Sequence, residues 1–90
     1  MLPQNRPPTP AGVILKEEFL APLAMTQQQL AAKMGIPVQR VNLIINGHRG
    51  ITAETALLLA KVFETTPQFW MNAQAAEDLW HAQNKQRKRA

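Results

Sequence analysis

The chain contains no cysteine and no tyrosine. Without thiols there can be no disulfide, no thiolate metal site and no cysteine nucleophile. Aromatic residues are scarce, at three Phe and two Trp. No apolar run approaches the roughly 20 residues that a membrane-crossing helix needs. The opening stretch MLPQNRPPTP lacks a charged segment followed by an apolar one. That layout predicts no secretory signal and a cytoplasmic protein. The only histidines, His48 and His81, fall on separate elements, too isolated for a zinc site or a catalytic triad. Glu17 and Glu18 are adjacent, so on a helix they project in different directions, unlike an acid/base pair. Nothing resembles a phosphate-binding loop or a dinucleotide fingerprint. The inventory predicts no enzyme, no metal and no cofactor.

At 90 residues, the chain has room for one domain with a small core, and a partner subunit would add burial. The net charge is +4. Up to residue 84, Arg6, Lys16, Lys33, Arg40, Arg49 and Lys61 are balanced by Glu17, Glu18, Glu54, Glu64, Glu77 and Asp78. The surplus is therefore Lys85, Arg87, Lys88 and Arg89, in a basic tail at 85–90. Such a tail suits phosphate contact and equally suits a solvated helix end. At the other end, residues 1–9 are polar and proline-rich and form an extended arm. The domain is expected to run from 10 to 84.

Apolar spacing within 10–84 predicts five helices and no strand. In the first, Val13, Ile14, Leu15, Phe19, Leu20 and Leu23 form the stripe, Pro10 sits in the opening turn, and Pro22 argues for an end near Ala21. Thr26 with Gln29 makes a capping box for the second helix, whose stripe is Leu30, Ala31 and Met34 and whose exit is Gly35. Pro37 opens the third, which turns Val41, Ile44 and Ile45 inward and ends at Asn46-Gly47. His48, Arg49 and Gly50 form a basic loop in which Gly50 is expected to contact nothing. Thr52 caps the fourth, with Ala56, Leu57, Leu59, Ala60 and Phe63 inward. Pro67 begins the fifth, a long helix with an apolar face of Phe69, Trp70, Ala73, Ala76, Leu79 and Trp80.

The second and third helices are joined by almost nothing. Small residues Ala31, Ala32 and Gly35 stand where two axes must approach to about 8–10 Å. That is the pattern of a helix-turn-helix, whose second helix enters the major groove of DNA. Its leading and exposed side chains are Val38, Gln39, Arg40, Asn42 and Leu43. Glutamine and asparagine pair with adenine, arginine with guanine, and apolar side chains touch a thymine methyl. Gln27 and Gln28 begin the preceding helix, where side-chain and backbone N–H groups meet a phosphate. Asn46, His48 and Arg49 are further backbone candidates. Two tryptophans on one helix exceed what so small a core absorbs, so one of Trp70 and Trp80 is expected to face a partner.

The stretch TQQQLAAKMGIPVQRVNLIING resembles the phage-repressor (XRE, lambda-repressor-like) class of helix-turn-helix. From about Pro10 to Leu79, the chain more closely resembles HigA antitoxins, also called VapI-like. ILKEEFL, NGHRGITAETALLLAKVF and FWMNAQAAEDL carry that likeness. The resemblance implies an all-α, five-helix lambda-repressor-like domain. It implies an antitoxin that neutralises a RelE/HigB-like mRNA-cleaving toxin and represses its own operon as a dimer on a palindromic operator. It places Gln27 on the DNA backbone and the base-reading positions on Val38, Gln39, Arg40 and Leu43. Leu43 departs from the polar residue often found there, which leaves apolar readout or shielding. A dimer contact built from C-terminal helices is also implied, which falls here on the face Phe69, Trp70, Ala73, Ala76 and Trp80. Two alternatives remain: a solitary XRE-type repressor without a toxin, and a protein-interaction module that does not bind DNA.

Overall fold

The computed structural model describes residues 6–89, with side chains to residue 86. The first five residues of the arm, and the side chains of Arg87, Lys88 and Arg89 in the tail, lie outside that description. Among the described residues there are five helices and no strand. Helix α1 is continuous through three segments, α-helical at Ala11–Ile14, π-helical at Leu15–Leu20 and α-helical again at Ala21–Leu23. Then follow α2 (Gln27–Met34), α3 (Val38–Ile45), α4 (Ala53–Phe63) and α5 (Pro67–Arg89).

The local signals act as the residue chemistry requires. Thr26 Oγ1 accepts from the Gln29 N–H at 3.0 Å, and Gln29 Oε1 accepts from the Thr26 N–H at 2.9 Å. Two of the four N–H groups that a helix start leaves without a helical acceptor are thereby bonded. Thr52 Oγ1 accepts from Thr55 N–H at 3.3 Å as a plain cap. Gly35 ends α2 at φ 70°. Ala24 and Glu64 end α1 and α4 in the same left-handed region, at φ 52° and 56°, without being glycine. In α1, Pro22 does not stop the helix at Ala21, as helical continuity reaches Leu23. Proline lacks an N–H and its ring crowds the carbonyl four residues back. The π turn before it shifts the pairing by one residue, with Ala21 N–H donating to Lys16 O, and so widens the helix where the ring must fit.

The core joins Ala11, Leu15 and Leu20 of α1, Leu30, Ala31 and Met34 of α2, Val41, Ile44 and Ile45 of α3, Ala56 and Leu59 of α4, Ile51 and Trp70. Helix α1 packs on α3 and α5, α2 on α3 and α4, and α4 on α5. The α1–α3 crossing is close at Gly12. A Cβ there would press into the Ile44 carbonyl oxygen and lie 2.7 Å from that of Ile45. Beside it, the Ala11 N–H donates to Glu77 Oε1 of α5 at 2.6 Å.

Two expectations about the apolar faces fail. Trp70 is a core residue with no exposed surface, and its Nε1–H donates to Thr65 Oγ1 at 2.8 Å. It packs against Phe19, Phe63 and Phe69, with ring centroids 5.0–6.3 Å apart. It therefore has nothing to offer a second subunit. Leu57, assigned to the core, is 61% exposed, as is Leu79. Leu57 lies one turn into α4 on the Ala53–Glu54 side, away from the buried Ala56, Leu59 and Ala60.

Candidate nucleic-acid interface

At the start of α2, the capping box uses the N–H groups of Thr26 and Gln29. The next N–H, of Leu30, donates to Thr26 O at 3.0 Å. The N–H groups of Gln27 and Gln28 therefore have no protein acceptor among the described residues. They stand at the positive end of the helix dipole, where an anionic oxygen is favoured. Gln28 is exposed and Gln27 half-buried.

Helix α3 follows after a short turn. Gly35 N–H donates to Ala32 O and Ile36 N–H to Ala31 O, closing α2, and Pro37 in extended conformation starts α3. Burying Val41, Ile44 and Ile45 leaves Gln39, Asn42 and Leu43 exposed. Arg40 is half-buried and its guanidinium lies 3.5 Å from the Glu54 carboxylate at the start of α4. Val38 is half-buried against the core, so only part of it faces outward. Two of the four expected base-reading side chains, Gln39 and Leu43, thus stand exposed on α3. Arg40 is tethered beside them by an exposed ion pair worth less than ~1 kcal/mol.

The exit of α3 folds back on its last carbonyls. His48 and Arg49 N–H groups both donate to Leu43 O, at 2.9 and 3.2 Å, and Gly47 takes φ 77° to allow the reversal. His48 and Arg49 are exposed. Arg49 also borders a groove of about 210 Å³ between the start of α1, this loop and α5, shared with Gln74, Asp78 and His81. Gln74 anchors the loop, accepting from the Ile51 N–H at 2.8 Å and donating to Asp78 at 3.0 Å.

Asn46 is linked to two other side-chain amides. Its Nδ2 donates to Asn42 Oδ1 at 3.2 Å, and Asn42 Nδ2 donates to Gln27 Oε1 at 3.3 Å. The Asn42–Asn46 spacing of one helical turn was visible in the sequence. The meeting with Gln27 was not, because it depends on how α2 crosses α3. Glu54 was likewise out of view as the partner of Arg40.

Of the face on α5 expected to form a dimer, Phe69 is 42% exposed. Ala73, Ala76 and Trp80 are half-buried. These four recur at helical spacing on one side of α5.

A two-helix unit with a short turn, a polar exposed second helix and unoccupied N–H groups at the start of the first is the construction of a DNA-binding helix-turn-helix. The helix-turn-helix family profile matches residues 15–70. Antitoxin HigA-1 of Vibrio cholerae is 41% identical over 86 residues, covering 96% of this chain and 81% of that protein. An addiction module antidote protein of the HigA family from Coxiella burnetii is 48% identical in structure-based alignment. It superimposes with a TM-score of 0.86 over 93% of this chain and 91% of its own. Pseudomonas aeruginosa antitoxin HigA, solved with the higBA promoter, is 35% identical with a TM-score of 0.87, covering 91% and 89%. The chain belongs to the helix-turn-helix family, among the HigA/VapI-type antitoxin regulators. The family is non-catalytic, in keeping with the residue inventory. No described helix is long and apolar enough to cross a membrane.

Proposed function

We propose that this protein is a HigA-type antitoxin that binds the operator of its own operon as a homodimer and neutralises a HigB/RelE-like toxin. The observation that carries the DNA-binding half is the pairing of exposed Gln39 and Leu43 on α3, with half-buried Arg40 beside them, and the open N–H groups of Gln27 and Gln28 on α2. Gln39 and Arg40 have the donor and acceptor patterns that read adenine and guanine. The start of α2 holds a phosphate and sets the register of α3 in the groove. Asn46, His48 and Arg49 extend the backbone contact beyond α3. The P. aeruginosa HigA–promoter structure, of the same fold over nine-tenths of the chain, supports this reading.

The dimer is built on Phe69, Ala73, Ala76 and Trp80, and places two copies of α3 about one helical turn of DNA apart. The toxin docks on the arm and the outer face of α1, where Val13, Lys16, Glu17 and Glu18 are exposed and have no part in the DNA surface. A mobility-shift titration on DNA from immediately upstream of the gene tests the central claim. It is run at two salt concentrations, beside a scrambled duplex and a Gln39→Ala/Arg40→Ala variant. Salt-dependent preference for the upstream duplex, lost in the variant, is the expected result. Equal weak binding to both duplexes by both proteins would overturn it. Deleting residues 1–9 and charging the outer face of 13–20 is expected to abolish toxin capture, and undiminished capture would refute the docking site.

A further inference from the structure

We propose that Asn42 is a positioning residue of the DNA-binding surface, which touches no DNA and instead holds Gln27 with its amino group outward. The inference rests on the DNA-binding reading above.

Three side-chain amides, Asn46, Asn42 and Gln27, stand in a row across α3 and onto the start of α2. Each link runs in the same direction. Asn46 Nδ2 donates to Asn42 Oδ1 at 3.2 Å, and Asn42 Nδ2 donates to Gln27 Oε1 at 3.3 Å. An amide whose oxygen is taken by a donor has its NH2 on the opposite side. The Gln27 NH2 group therefore ends the row as a donor, and it has no protein acceptor among the described residues. Beside it are the open N–H groups of Gln27 and Gln28. A phosphate oxygen accepts and does not donate, so this is the polarity that suits it.

The opposite polarity would present the Gln27 oxygen instead. Turning Gln27 alone would set its NH2 against the NH2 of Asn42, two donors facing each other. The whole row would have to reverse together. A bound phosphate and the row therefore favour the same arrangement, and each link stabilises the next. The row also accounts for the fifth residue of α3 being asparagine while the base-reading positions flank it. Asn42 is occupied by its neighbours on both sides, where α3 meets Gln27 at the start of α2.

The test is a double-mutant cycle between Asn42→Ala and Gln27→Ala, read as affinity for the upstream duplex and for a panel of single-base-pair variants of it. Asn42 is exposed, so the fold is expected to survive, and a thermal melt checks this. Asn42→Ala is expected to weaken binding roughly three- to tenfold, by the same factor on every duplex of the panel. Gln27→Ala is expected to do the same, and the double variant to be no worse than the stronger single one. A changed preference at one base pair would make Asn42 a base reader, and additive losses or unchanged affinity would remove the link to Gln27. Each of these results overturns the proposal while leaving operator binding intact. A wild-type protein that does not prefer the upstream duplex fails on the functional reading itself. Side-chain amide NMR of the DNA-free protein separates the two cases. Asn42→Ala must shift the Gln27 and Asn46 NH2 signals, and their constancy would refute the row whatever the DNA result.

Discussion

Helices α3 and α5 both carry apolar residues at helical spacing, but they dispose of them differently. In α3 the three inward residues, Val41, Ile44 and Ile45, are all buried, and the outward face is polar apart from Leu43. Among the described side chains of α5 only Trp70 is fully buried, while Phe69, Met71 and Leu79 remain exposed. Helix α3 is short and enclosed by α1 and α2. Helix α5 has 23 residues, a length of about 35 Å at 1.5 Å per residue. The two smaller dimensions of the molecule are 25 and 22 Å, so α5 outruns the core that its first turns help to build. An apolar stripe on an enclosed helix reports core. The same stripe on a helix that outruns its domain mixes core with interface.

Truncating the two tryptophans separately is expected to give the largest effects. Trp70→Ala removes a fully buried ring that touches three phenylalanines and is expected to cost about 3–5 kcal/mol. In a domain this size that lowers Tm by tens of degrees or abolishes folding, read by thermal melting. Trp80→Ala is expected to leave most of the secondary structure in place and shift sedimentation from dimer towards monomer. A Trp80 variant that stays dimeric would move the interface elsewhere on α5.

Gly12→Ala comes next, and it probes the enclosed side. Its methyl group would press on the Ile44 carbonyl, an overpacking expected to cost about 1–3 kcal/mol. Because that pressure falls on the end of α3, operator affinity should drop along with Tm. A smaller effect is expected from Glu54→Gln, which releases Arg40 and removes a negative charge beside the DNA surface. Affinity for any duplex should rise a few-fold, most clearly at low salt, with little change in Tm. Smallest is Glu64→Gly. Its left-handed φ of 56° is costly for a residue with a side chain and open to glycine. A gain of about 0.5 kcal/mol is expected, seen as a rise of a few degrees in Tm. A fall instead would mean that the Glu64 side chain contributes more than its backbone costs.

Much of the fold was legible because its signals are local. The Thr26–Gln29 box, the Thr52 cap, Gly35 and Pro37 each act within four residues of themselves, so the helix-turn-helix could be placed from the chain alone. The buried sets of α2 and α3 followed from spacing. The candidate base contacts followed partly from their position on α3 and partly from resemblance to a known family. Leu57 misled because α4 offers apolar side chains on more than one side, and spacing alone does not say which side finds a neighbour. Trp70 misled for a related reason, since an aromatic residue reads alike whether three phenylalanines enclose it or a second subunit does.

Residues near one another in the chain set which segments are helices, most of their ends (α1 runs past Pro22 to Leu23), and the class of surface they present. Capping, turn chemistry and helical periodicity are interactions between near neighbours, and they operate before any long-range contact exists. Only the tertiary structure decided which side chains meet across the chain: Trp70 among the phenylalanines, Glu77 on the Ala11 N–H, Glu54 on Arg40, Asn42 on Gln27. Those partners are set by how the helices cross, which the packing of the whole core determines.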